Sequence, residues 1–286
     1  MIDDASSALP GEVPGDVTPA AEAPVAPAAL ALEPEPGPAA VDAPLPPRSR
    51  AVDRLRALFQ GFLCSGLPTQ LLIERALVTA GLRPFLAGPG EHLNPTFIFI
   101  VALGDTVLIV LLVAAFLRAD GESFRTVVIG RRPLSREVLA GVSMVFPVIV
   151  GAALVVLAAR WLWPSLHNVA DNPLIGMLQS RRDVVLFAIT AVVAGGVREE
   201  VQRAFLLTRF EQHLGGAAVG LVVTSLAFGA GHALQGWDAT VVTGVLGLTW
   251  AAVYLRRRSA VAPMVSHIGF NGLQIVAYLA VGGRGV

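Results

Sequence analysis

The feature that most limits what this chain can fold into is a set of long apolar stretches, one of which carries four charges. Val192 to Leu207 reads V-V-A-G-G-V-R-E-E-V-Q-R-A-F-L-L, so Arg198, Glu199, Glu200 and Arg203 stand inside a segment apolar enough to sit in a bilayer. Ionisable side chains at that depth are costly, which marks each of them as a functional-site candidate by default. Two later apolar stretches carry polar groups of their own: His232 in F-G-A-G-H, and His267 with Asn271 in H-I-G-F-N.

Apolar stretches predict about seven spans, near residues 58–82, 94–117, 138–163, 184–210, 217–234, 239–255 and 261–281. With 54% hydrophobic and 15% charged residues, the chain has too little polar surface for a soluble domain of 286 residues. The fold class is therefore all-α, a polytopic transmembrane helical bundle. The first stretch is the least regular, interrupted by Gly66, Pro68 and Glu74-Arg75. It reads as a Pro-kinked span, with a re-entrant or interfacial helix as the alternative. Asp105 interrupts the second span and reads as a buried group paired with an Arg or a hydroxyl, with a proton relay as the rival. Trp161 and Trp163 close the third span as an interfacial girdle.

Residues 1–50 are rich in Pro and Ala, and the first 47 hold eight acids and no base. Without apolar periodicity they form a disordered tail, and without a basic start before an apolar run they are not a signal peptide. Residues 51–182 follow as N-terminal membrane helices and 183–286 as the membrane core that carries the motifs. The remaining 13 acids face 21 basic residues, all Arg, a surplus of eight. With the tail inside, Arg clusters at 48–56, 118–136, 209 and 256–258 all fall on the cytoplasmic side of a cytoplasmic membrane, against Arg181 and Arg182 on the other. Such a body suits a lipid bilayer with anionic headgroups as partner, and no nucleic acid. The single cysteine, Cys64, excludes an internal disulfide and reads as a small buried hydrophobe.

Residues four apart share a helix face, as do Glu199 and Arg203, Phe228 and His232, and His267 and Asn271. Glu200 is turned about 100° from Glu199 and reaches Arg203 only at the three-residue spacing. Two carboxylates in a low-dielectric setting do not both ionise cheaply unless an Arg or a metal compensates. A carboxylate so poised can take a proton from water. Two imidazoles could orient that water, hold an oxyanion or ligate a divalent metal. The plainer reading is an inert network, with Arg198 and Arg203 neutralising the glutamates and the histidines bridging helices. Three polar motifs on three spans together weigh for function, and for hydrolysis in particular.

The ordered set of Glu-Glu near Arg, Phe-x-x-x-His and His-x-x-x-Asn resembles the CPBP (Abi, CAAX-protease-like) family of intramembrane endopeptidases. G-H-A-L-Q-G after the second motif and R-R-R-S-A-V-A-P-M-V-S-H before the third resemble it too, over roughly residues 183–281. The resemblance implies a helical bundle with a water-accessible cavity inside the membrane. It implies Glu199 or Glu200 as the base that activates water, Arg203 as their support, and His232, His267 and Asn271 as water, oxyanion or metal groups. A divalent metal such as zinc, held by His232, His267 and Glu199, is one option; otherwise no cofactor is implied. The substrate would be a membrane-associated peptide or protein. The family pattern sets three residues between the glutamates and Arg, whereas two separate Glu200 from Arg203, so alignment on Arg203 puts Arg198 where the family has its first Glu. The rival expectations are a non-catalytic scaffold or immunity-type binder with a degraded first motif, and a small transporter using Asp105, Glu199 and the histidines as a proton relay.

Overall fold

The structure, a computed structural model, describes residues 50–86, 92–170 and 172–280; the tail expected over 1–50 lies almost wholly outside them. Helices α1 (Arg50–Leu63) and α2 (Leu67–Thr79) come first. A two-residue antiparallel pairing of Phe85–Leu86 with His92–Leu93 then leads into α3 (Pro95–Ala119). α4 (Leu134–Leu162), the single turn α5 (Pro173–Gly176) and α6 (Arg181–Thr190) follow. α6 runs without a break through a π-helical segment, Ala191–Arg198, into α7 (Glu199–His213). α8 (Ala217–Ala230), α9 (Trp237–Arg257) and α10 (Val261–Ala280) complete the order.

α3, α4 and α9 are long and apolar enough to cross a membrane. α3 starts sharply because Pro95 needs no backbone partner in the first turn and the Asn94 side chain accepts from the N–H groups of Thr96 and Phe97. α4 runs for 29 residues through Pro147, and Trp161 and Trp163 at its end are both exposed.

Two expected spans are built differently. The first apolar stretch is not one kinked helix: it breaks at Gly66, whose φ of +89° only glycine adopts readily, and Pro68 lies in the first turn of α2 rather than inside a helix. Its two halves still run antiparallel to α3 along most of its length. Gln60 bonds Asp120 at the far end (2.8 Å), Thr69 bonds Asp105 midway, and the Asn94 N–H bonds the Pro84 carbonyl at the start (2.8 Å). The fifth helix is also shorter than the stretch 217–234: α8 ends at Ala230, and His232 stands just beyond it. Glycines at 229, 231 and 236 leave the chain free to turn there.

α7 is the polar helix around which the others close, packing on α1, α3, α8 and α9. Its apolar side, Val201, Ala204, Phe205 and Leu207, meets Cys64, Ile109, Val113 and Leu117 in the main core. Burying Phe205 alone contributes about 1.5–3 kcal/mol. At one end of the bundle the Arg-rich segments gather against acids. Arg209 donates to Gln60, Asp120 and Glu122, and Arg56 pairs with Asp120. At that same end Arg257 pairs with Glu137 and Arg258 with Glu211. At the other end Asp238 receives Arg160 (2.8 Å) and His167 (2.9 Å).

Candidate active site

The glutamates enter the site from the π-helical segment, whose glycines let it press against α10. A Cβ on Gly195 would come within 2.7 Å of Asn271 Nδ2, and one on Gly196 would run into Ile268. Asn271 in turn donates to the Ala191 carbonyl at 3.1 Å, capping the segment's first residue. That bond uses one of the two Nδ2 hydrogens and leaves the other without a partner among the described residues.

Glu200 is buried and doubly engaged. One of its oxygens pairs with Arg203 and stands 3.0 Å from His267 Nδ1. Arg203 lies over the Phe228 ring at 4.6 Å, so its buried charge meets a carboxylate and an aromatic face. Glu199 is the freer carboxylate, its side chain one-fifth exposed, with His267 Nε2 at 3.8 Å. A single water can touch both of those atoms.

Trp250 fixes the plane of His267, stacking on it at 3.8 Å and 19°, and anchors itself by an indole N–H bond to Ser266 (3.2 Å). Phe228 meets both histidines edge-on, at 4.9 Å to His232 and 6.0 Å to His267. His232 Nδ1 lies 2.8 Å from the Phe228 carbonyl, which can only accept. Nδ1 therefore carries a proton, and in the neutral ring Nε2 has a lone pair.

His232, His267 and Asn271 line one cavity of about 550 Å³, with Trp250, Thr190 and Gly195 beside them. Its wall also includes apolar Val156, Leu178, Phe187 and Ile275. The two glutamates adjoin His267 but are not part of that wall. The structure thus brings all six expected site residues into one neighbourhood.

Arg198 does not join them. It pairs with Asp105 of α3, to which Thr69 and Gln70 also donate. Asp105 is therefore a buried, paired group, as the sequence suggested. Successive helical residues are turned by about 100°, so Arg198 points well away from the face that Glu199, Glu200 and Arg203 share. The aromatic partner Trp250 was missed by sequence reasoning, because a Trp within an apolar span carries no mark of what it stacks on.

The donor set does not gather around an ion. Among the described residues no three of His, Cys, Asp and Glu stand together to hold a metal, and His267 Nδ1 is committed to Glu200.

Residues 181–273 match the Rce1-like family. Its description is type II CAAX prenyl endopeptidase Rce1-like, and the matched residues contain every candidate site residue. The match bears out the resemblance to CPBP proteins drawn from the three motifs. No curated protein and no solved structure matches the chain. The Rce1-like family is a family of proteases, and with the apolar helices the match makes this an integral membrane protein.

Proposed function

We propose that the chain is an intramembrane endopeptidase that hydrolyses a peptide bond of a membrane-associated protein or peptide, with Glu199 as the general base. The observation that carries this reading is the division of labour between the glutamates. Glu200 is tied to Arg203 and His267 Nδ1, while Glu199 is more loosely held, with an oxygen 3.8 Å from His267 Nε2.

With Nδ1–H donating to Glu200, His267 presents the Nε2 lone pair to one hydrogen of a water, and Glu199 accepts the other. Glu199 takes that proton as the water oxygen bonds to the scissile carbonyl carbon. The other Nδ2–H of Asn271 donates to the oxyanion that forms. The carbon–nitrogen bond then breaks, and Glu199 returns its proton to the leaving amine. His232 Nε2, an acceptor in the neutral ring, holds a substrate N–H. Glu200 and Arg203 keep His267 oriented, and no step runs through a metal. The Arg-rich end faces the cytoplasm. The description of the family makes prenylated peptides the first substrates to try.

The scaffold reading rested on Arg198, and the direction of that side chain leaves both glutamates in the site. The test is cleavage of prenylated and unmodified peptides by detergent-purified protein, with Glu199→Gln, Glu200→Gln and His267→Ala beside the wild type, each with and without chelator. Cleavage that Glu199→Gln and His267→Ala abolish, and that a chelator spares, is the expected result. A folded wild type that cleaves nothing, or activity that survives Glu199→Gln, overturns the assignment; chelator-sensitive activity overturns the metal-free mechanism.

A further inference from the structure

The Arg198–Asp105 pair takes no part in the reaction above, yet the chain is built around it. Both residues are buried, Arg198 closing the π-helical segment and Asp105 midway along α3. The guanidinium enters at the break between α1 and α2, where a Cβ on Gly66 would collide with it. Thr69 and Gln70, in the first turn of α2, donate to the same carboxylate. Arg198 Nε is left buried without a partner among the described residues. A broken helix, a glycine at positive φ and an unsatisfied donor are much to spend on one ion pair, since a buried pair contributes little net stability.

We infer that this pair is a rotational lock that positions Glu199 and Glu200; the inference rests on the proposed function of those residues. At about 100° per residue, Arg198, Gln202 and Arg209 fall within about 40° of one another. They form one polar stripe that faces α1 and the break. Gln202 donates to the Cys64 carbonyl at 2.6 Å and Arg209 to Gln60 at 2.7 Å. Glu199, Glu200 and Arg203 lie roughly 100–200° around the helix from Arg198, toward His267.

A π-helical segment is a rare winding that holds extra residue per turn and recurs at functional sites. Relaxing it to ordinary α-helix would change the rotation between α6 and α7 by about one residue's turn, roughly 100°. That turn would bring Arg198 to the place that Glu199 holds and carry Glu200, with Arg203, away from His267. To make it, the guanidinium would have to leave its one counter-charge among the described residues. The lock therefore keeps the first motif in the register that its spacing alone leaves open. Arg198 and Asp105 are positioning residues and touch no substrate.

The test replaces both charges together, as the double variant Arg198→Leu with Asp105→Leu, so that neither is left buried alone. Three readouts are taken on the full chain: apparent Tm, kcat and KM on a peptide that the wild type cleaves, and the downfield His267 Nδ1–H resonance in histidine-labelled protein. The lock predicts a Tm near that of the wild type, kcat lowered at least about tenfold with KM nearly unchanged, and a shift or loss of the His267 resonance. Unchanged kcat and an unchanged resonance would make the pair merely structural and overturn the inference. Should the double variant fail to fold, Asp105→Asn, which keeps the acceptor oxygen, is read in the same way; if it too fails to fold, the pair is a stability element and the lock is wrong. A wild type that cleaves nothing refutes the proposed function instead, and the His267 resonance then still decides the lock.

Discussion

Glu199→Gln and Glu200→Gln differ by a few atoms from the wild type and by one position from each other, yet they should fail in opposite ways. Glu200 is buried against a buried Arg203 and His267 Nδ1. Removing its charge leaves the guanidinium without a counter-ion, and breaking such a pair costs about 3–5 kcal/mol. The amide keeps one acceptor oxygen, which places the loss near the lower end, about 3 kcal/mol. At about 2–4 °C per kcal/mol for a domain of this size, the apparent Tm should fall by roughly 6–12 °C. Glu199 is one-fifth exposed, and its nearest charged partner is an imidazole at 3.8 Å. Its substitution should cost less than about 1 kcal/mol, yet lower kcat by about 10²–10⁴. Thermal unfolding followed by tryptophan fluorescence in detergent, with peptide cleavage on the same preparations, measures both quantities. Equal losses of Tm would refute the division of labour, as would a folded Glu199→Gln protein that keeps kcat within tenfold.

Three further substitutions probe the frame of the site. Gly66→Ala places a side chain at φ +89° and against the Arg198 guanidinium, so it should lower stability by about 1–2 kcal/mol from backbone strain alone, read as a fall in Tm. Trp250→Ala removes a fully buried ring stacked on His267 and the bond to Ser266; a loss of about 3–5 kcal/mol is expected, along with activity. Glu211→Gln tests the Arg-rich end. The bond from Arg258 is the main cause that holds the Glu211 carboxyl below its ordinary value. A lowered carboxylate pKa contributes stability above the ordinary glutamate value and loses it as pH falls through the lower folded value. The pair is well exposed, so the variant should differ from wild type by under about 1 kcal/mol at pH 7, and the difference should vanish in acid. A difference that grows on acidification would contradict it.

Apolar runs, the paired glutamates and the two histidine motifs were legible from residue order because each is a local pattern. So were the helical class, the tryptophans that close α4, and the pairing of Asp105. The first apolar stretch was only partly legible: Gly66 and Pro68 announced an interruption, but not that Gly66 would separate two helices. The end of α8 at Ala230 was marked only by glycines, which permit a turn without requiring one. Trp250 carried no signal at all, since what it does depends on α10 lying against it.

The sequence by itself determined which charged residues stand within apolar stretches, and hence which groups a hydrolytic site would have to work with. Only the tertiary structure decided which way those groups point. A helix may carry Arg198, Glu199 and Glu200 in succession, but its rotation is set by what its neighbours offer: a carboxylate and a glycine gap on one side, a stacked imidazole on the other. Spacing measures angles between residues on one helix, whereas orientation toward a partner is a property of packing, and packing is settled only when all the helices are present.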